Sequence, residues 1–190
     1  MGKVYSLLAI NDTSSPQTRM FARPGSDDTF ALDIDYGPDE LRGRLKGLIG
    51  SGLTFRNCIF TTHGNKGMIF FAHQVIDREY MYREFYTYDY TRLFPFADTK
   101  VYFGGCNVAE SEAGWRFLAA AARSLLRRAG GTAIGWTSAG FDAGWLTSHH
   151  QIHFWGDTRQ VMVLPGGDYL RFYENWNMIK DSNGDPGSPV

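Results

Sequence analysis

Short apolar runs recur along this chain and alternate with segments of helical periodicity, which constrains the fold more than any other feature of the sequence. The runs have the length of strands and most end at Asn, Asp or Gly, as buried strands do. They cover residues 4–10, 29–34, 57–62, 68–76, 99–103 and 132–137. A further pair, 161–164 and 169–173, flanks Pro165-Gly166-Gly167-Asp168 and is typical of a hairpin.

Two segments have the apolar spacing of a helix instead. The first opens at Pro38, carries leucines at 41, 45 and 48, and stops at Gly50. The second carries an apolar stripe from Trp115 to Ala129 and stops at Gly130-Gly131. Strands that alternate with helices predict an α/β fold, here a three-layer sandwich with a mostly parallel sheet and helices on both faces.

The length of 190 residues fits one domain, which we place at residues 1–180. The polar, Pro- and Gly-rich segment 181–190 is predicted to be a disordered tail. Two cysteines exclude a disulfide framework. No run approaches the ~18 apolar residues of a membrane span, and the first is too short for a signal peptide. We therefore expect a cytoplasmic protein with no membrane contact.

His63 and Gly64 follow the apolar run 57–62 directly. Ligands of parallel α/β sheets bind outside the carboxyl ends of the strands, so a histidine there is a candidate catalytic acid or base. Gly64 permits a sharp turn and leaves its N–H open to a ligand. The competing interpretation is that His63 is a polar residue that ends a strand in a turn.

The second motif is Gly104-Gly105-Cys106-Asn107, directly after the run 99–103. The glycines permit a close approach of the backbone, and the thiol is a candidate nucleophile. Such a thiol needs activation by a nearby base or by the field of a helix N-terminus, and the helix that follows begins near Ala113. Cys58 lies inside an apolar strand and is predicted to be a core residue.

Together the two motifs supply a base and a nucleophile, the minimum for acyl transfer. The backbone N–H groups of Gly64 and Cys106 are the expected donors to the oxyanion, because both backbones turn beside the reacting position.

With these residues the sequence resembles the caspase-like cysteine peptidases of clan CD, and within that clan the bacterial CHAT-type domains. The resemblance rests on strand–His63–Gly64, then strand–Gly105–Cys106, a long helix and the strand 132–137, and it covers residues 55–138. Gly-Gly-Cys-Asn-Val stands where caspases have Gln-Ala-Cys-x-Gly.

The resemblance implies a caspase–haemoglobinase fold and hydrolysis of protein or peptide substrates by a His63/Cys106 dyad, with the Gly64 N–H in the oxyanion hole. Asp142 is a candidate to bind a basic P1 side chain, by charge complementarity. The chain lacks a recognisable processing linker and is short for an active member of the clan. The alternative is therefore a catalytically weak or inactive caspase-like domain that signals or binds through an aromatic surface.

Two other interpretations of these residue types remain open. In a nucleophile elbow, Gly-x-Nuc-x-Gly, the nucleophile precedes its histidine, and Cys106 has Gly104 before it but Val108 after it. His149 and His153 would share a helix face as metal ligands, but their surroundings suit a loop or strand. No glycine pattern fits a nucleotide, so we predict neither a metal nor a cofactor.

An aromatic segment from Tyr80 to Phe96 shows no single periodicity. Its acids and arginines are balanced, and the whole chain has a net charge of −1, from 19 basic and 20 acidic residues. Without a basic groove, stacking on nucleic acid is not expected. The segment is predicted to be core or a surface that binds a partner protein.

Overall fold

The computed structural model describes residues 2–20, 22–138, 140–142, 151–153 and 157–182, and for 140–142 and 151–153 it gives strand pairing alone. The strands in these ranges are β1 (Val4–Asp12), β2 (Thr29–Ile34), β3 (Thr54–Thr61), β4 (His63–Asn65), β5 (Met68–Phe71), β6 (Gln74–Asp77), β7 (Lys100–Phe103), β8 (Gly131–Trp136), β9 (Gly140–Asp142), β10 (Gln151–His153), β11 (Thr158–Val163), β12 (Leu170–Glu174) and β13 (Asn177–Asp181). The helices are α1 (Pro16–Arg19), α2 (Pro38–Gly50), α3 (Arg78–Tyr80), a π-helix (Met81–Phe85), a 3₁₀-helix (Tyr90–Leu93) and α4 (Ser111–Leu126).

The main sheet has eight strands in the order β13-β12-β11-β8-β7-β3-β1-β2. The five strands β2, β1, β3, β7 and β8 run parallel to one another. Beyond β8, the pairs β8–β11, β11–β12 and β12–β13 are antiparallel. The prediction of an α/β fold is therefore confirmed, and the sheet is mixed, with four parallel and three antiparallel strand pairs. The predicted hairpin around Pro165 is confirmed as β11 and β12.

The main helices form one connected layer. Both α2 and α4 contact the 3₁₀-helix, and α4 also contacts α3 and the π-helix. Aromatic rings join this layer to the sheet: Phe60 stacks on Phe103 at 5.0 Å, and Phe103 meets Phe117 of α4 edge to face at 5.0 Å. Among the described helices, none combines the length and apolarity needed to cross a bilayer.

The opposite face of the central strands is apolar as well. Ile59, Tyr102 and Ile134 lie side by side in neighbouring strands, and the two isoleucines are almost fully buried. Burial raises the pKa of Tyr102, whose ring stacks with Trp136. Apolar residues on both faces are compatible with a sheet covered on both sides.

The prediction of one strand over residues 68–76 is wrong. That segment forms the hairpin β5–β6, which turns at Ala72 and His73, both with positive φ (48° and 64°). Strand β4 pairs with β5 as well, so a small sheet, β4-β5-β6, follows β3. His63 begins this small sheet.

The C-terminal strand continues into the segment predicted to be a tail. Asp181 ends β13, and the Ser182 N–H donates to the Leu170 carbonyl at 2.9 Å. The rest of the predicted tail, residues 183–190, lies outside the described ranges.

Candidate active site

The two predicted catalytic motifs lie at the carboxyl ends of neighbouring strands. β3 and β7 pair in parallel up to Phe60 and Phe103, and the Gly104 N–H donates to the Phe60 carbonyl at 2.9 Å. His63 follows β3 after one residue, and Cys106 lies in the turn after β7. Both residues therefore lie just beyond the carboxyl ends of two neighbouring strands, at the same end of the sheet.

Gly64 and Gly105 bring the two backbones into direct contact. A Cβ on Gly105 would lie 2.6 Å from Gly64 Cα and 2.7 Å from the Gly64 nitrogen. A Cβ on Gly64 would lie 2.8 Å from Gly105 Cα and 2.4 Å from Val108 Cγ2. Real Cβ atoms do not come this close, so only glycine fits at either position. The structure thus brings the His63-Gly64 and Gly105-Cys106 motifs together.

The two cysteines occupy different environments. Cys58 is fully buried among apolar residues, and this burial raises the pKa of its thiol well above the ordinary value. Cys106 is half-buried, and His63 is exposed. The prediction that Cys58 is a core residue is confirmed, and of the two cysteines Cys106 has the more accessible side chain.

Backbone hydrogen bonds hold the loop that follows Cys106 against the end of β8. The Asn107 N–H donates to the Ser138 carbonyl at 2.9 Å, and the Ala109 N–H donates to the Trp136 carbonyl at 3.0 Å. Asn107 itself has a φ of +56°, in the left-handed region. α4 begins at Ser111, so its N-terminus lies five residues along the chain from Cys106.

The β4–β5 hairpin, which carries His63, packs on the same loop. Lys66 forms an ion pair with Glu110 at 2.8 Å, and the Gly67 N–H donates to the Val108 carbonyl at 3.0 Å. Gly67 also lies so close to α4 that a Cβ there would be 2.6 Å from the Ala113 carbonyl oxygen. Sequence patterns did not identify these contacts, although Asn65-Lys66-Gly67 is an ordinary turn signal.

Two buried hydroxyl groups near the carboxyl ends of β3 and β8 have no hydrogen-bond partner among the described residues. They belong to Thr61, the last residue of β3, and Ser138, two residues after β8. Buried polar groups normally have partners. Thr61 and Ser138 depart from that rule, and their hydroxyl oxygens lie too deep for a bound molecule to reach without rearrangement.

The remaining candidate site residues are Asp142 and the histidines at 149, 150 and 153. Asp142 ends β9 and pairs with Gln151 of β10, and His153 pairs with Gly140 in the same two strands. The side chains of these residues, and His149 and His150 as a whole, lie outside the described part of the chain. Within the ranges that are described, no three metal-ligating side chains cluster.

The aromatic segment is divided between core and surface. Phe85, Tyr90 and Phe94 are buried, and burial raises the pKa of Tyr90 to about 12. Tyr86 and Tyr88 are 44% and 37% exposed, with Arg127 and Lys46 over their rings. The exposed aromatic surface is therefore smaller than the sequence alone indicates.

Neither protein-family models nor curated protein sequences match this chain.

Proposed function

We propose that this protein is a caspase-like cysteine endopeptidase with a three-layer, caspase–haemoglobinase-like fold. Cys106 is the nucleophile and His63 the general acid and base. The observation that carries the proposal is the backbone contact between Gly64 and Gly105. It holds the residues next to them, His63 and Cys106, at the carboxyl ends of β3 and β7. The contact distinguishes this arrangement from two simpler ones: a cysteine buried as a core residue, and a histidine that only ends a strand in a turn far from the cysteine.

The proposed reaction starts with transfer of the Cys106 Sγ proton to His63. The thiolate attacks the carbonyl carbon of the scissile peptide bond, and the resulting oxyanion accepts hydrogen bonds from the N–H groups of Gly64 and Cys106. His63 then protonates the leaving amine, so that the C–N bond breaks and a thioester remains. Water hydrolyses the thioester and restores the thiol.

The substrate is a protein or peptide, and we place the reaction in the cytoplasm, where thiols stay reduced. Asp142 is our candidate partner for a basic P1 side chain, on its charge alone. A peptide library tests this assignment directly, because cleavage after lysine or arginine would be lost in Asp142→Asn if the charge selects the substrate. Unchanged P1 preference in that variant would contradict it.

The main test is covalent labelling with a peptide that carries a thiol-reactive electrophile. We expect the wild-type protein and Cys58→Ala to be labelled alike, and Cys106→Ala not at all. His63→Ala should label more slowly by about 10²- to 10⁴-fold, the usual contribution of a general base. Circular dichroism checks that each variant is folded.

Equal labelling of the wild-type protein and Cys106→Ala would overturn the assignment of the nucleophile. If Cys106 is labelled but no peptide in the library is cleaved, the peptidase proposal fails. That result would favour the inactive binding domain, with the exposed Tyr86 and Tyr88 as the first residues to test.

A further inference from the structure

We infer that Arg159 is a positioning residue for Cys106, an inference that rests on the proposed peptidase function. Arg159 lies in β11, in the antiparallel part of the sheet. Its Nη1 donates hydrogen bonds to the carbonyl oxygens of Ala109 and Ser111, each at 3.0 Å. One guanidinium nitrogen therefore joins the end of the Cys106 loop to the first residue of α4.

This part of the chain needs such contacts because one residue of the loop and the first residue of α4 have unfavourable backbone conformations. Asn107 and Ser111 have φ values of +56° and +65°. Residues with a Cβ rarely adopt this region, and the conformation persists only where surrounding contacts enforce it. The bonds to Ser138 and Trp136 hold the start and middle of the loop. Arg159 holds its end.

Arg159 is itself held from two further sides. Its Nε donates to Glu174 Oε1 at 2.9 Å, across the β11–β12 pair. Its guanidinium lies 4.8 Å from the centroid of the Trp115 ring, which packs edge to face on Phe172. The side chain is 20% exposed. A planar guanidinium with charged, aromatic and carbonyl partners has little freedom to move.

The position of the Cys106 sulfur follows from this arrangement. Only two residues lie between Cys106 and Ala109, and the Gly64–Gly105 contact fixes the chain just before the cysteine. Release of the far end would allow the loop to shift, and a displacement of about 1 Å at a catalytic group can cost about 10²-fold in rate. Arg159 thus acts on catalysis through the loop, without touching the substrate.

The test compares kcat and KM for a peptide that the wild-type protein cleaves. Arg159→Met keeps an unbranched apolar side chain that can pack on Trp115 but removes all donors, so we expect kcat to fall by about 10- to 100-fold, with KM unchanged. Arg159→Lys, with one cationic donor group, should recover part of kcat. Arg116→Met is the matched control, because Arg116 pairs with Glu112 on the outer surface of α4. Thermal unfolding of each variant reports stability separately.

Wild-type kcat in a folded Arg159→Met would overturn the inference, and so would a loss that only follows the unfolded fraction. If Arg159→Met does not fold, Arg159→Lys decides: reduced kcat at wild-type KM supports the role, and wild-type kcat overturns it. A wild-type protein that cleaves no peptide overturns the proposed function together with this inference. An active wild-type protein with a fully active Arg159→Met overturns this inference alone.

Discussion

At the scale of single residues, the environments of Cys58 and Cys106 determine what each thiol can do. Cys58 points into the core between the sheet and the helices, where neither water nor a reagent reaches it. Cys106 lies half-exposed at the edge where β3 and β7 end. Since the thiolate is the reactive form of cysteine, burial alone keeps Cys58 inert.

We expect iodoacetamide at neutral pH to modify one cysteine in the folded protein and two after denaturation. Mass spectrometry of the tryptic peptides should place the first modification on Cys106. Modification of Cys58 in the folded protein at a rate equal to that of Cys106 would contradict the burial described above.

The raised pKa of Cys58 also predicts a pH dependence of stability. Above the ordinary thiol pKa of about 8.5, the unfolded chain loses this proton while the folded protein keeps it. This contribution of Cys58 to the stability is therefore complete well below that pH and falls as the pH rises, with a slope that approaches about 1.4 kcal/mol per pH unit only about one unit above it. Urea unfolding between about pH 8 and pH 9.5 should show a loss that steepens with pH.

Cys58→Ala is the control for this slope, because it lacks the titrating group. The difference in free energy of unfolding between the wild-type protein and Cys58→Ala should shrink as the pH rises. A constant difference across this range would contradict the prediction.

The sequence alone identifies these residues only where a local pattern of neighbouring residues marks them. Cys58 is recognisable as core because the strand around it is apolar, and His63 and Cys106 are recognisable because each follows a strand. The ion pair of Lys66 with Glu110 and the contacts of Arg159 join distant parts of the chain, so no local pattern predicts them.

At the scale of elements, α2 and α4 contain glycines with opposite surroundings. Gly43 lies on the exposed side of α2, and a Cβ there would have no atom within 4 Å. Gly114 lies in the first turn of α4, where a Cβ would be 2.2 Å from the Ala109 carbonyl carbon. The first glycine is a weakness of its helix, whereas the second is required by packing.

We expect Gly43→Ala to stabilise the protein by about 0.5–1 kcal/mol, because alanine loses less backbone entropy in a helix than glycine. Gly114→Ala, the same change in the other helix, should destabilise it, because the backbone of Ala109 would have to move. Urea denaturation gives both values. Destabilisation by Gly43→Ala would show that α2 has tighter surroundings than described.

Element boundaries were predictable where standard signals occur. β2 has the predicted bounds, and α2 begins at Pro38 as its first-turn signals indicate. The β5–β6 turn was missed because Ala72 and His73 are not usual residues for positive φ. The aromatic segment shows no single period because it contains a π-helix and a 3₁₀-helix, which differ in residues per turn.

At the scale of the whole molecule, the parallel and antiparallel strands share one hydrophobic core. Val161 and Leu170 of the antiparallel strands belong to the same buried cluster as Leu8 of β1 and Ala133 of β8. Trp115 and Phe172 extend the contact between α4 and the C-terminal strands. Local periodicity predicts the strands, but it does not predict this order across the sheet.

A shared core predicts that the sheet unfolds as a unit. Unfolding in urea, followed by tryptophan fluorescence and by far-UV circular dichroism, should give coincident transitions with one midpoint. Two separate transitions would show that β11–β13 form a subdomain with its own stability.

The contact between Gly64 and Gly105 has a consequence for how this protein can evolve. Each glycine occupies the space that a side chain on the other would need, so neither position tolerates a single substitution without movement of both backbones. Selection for this contact therefore acts on both codons, although 40 codons lie between them. Descendants of this sequence either retain both glycines or lose the juxtaposition of His63 and Cys106.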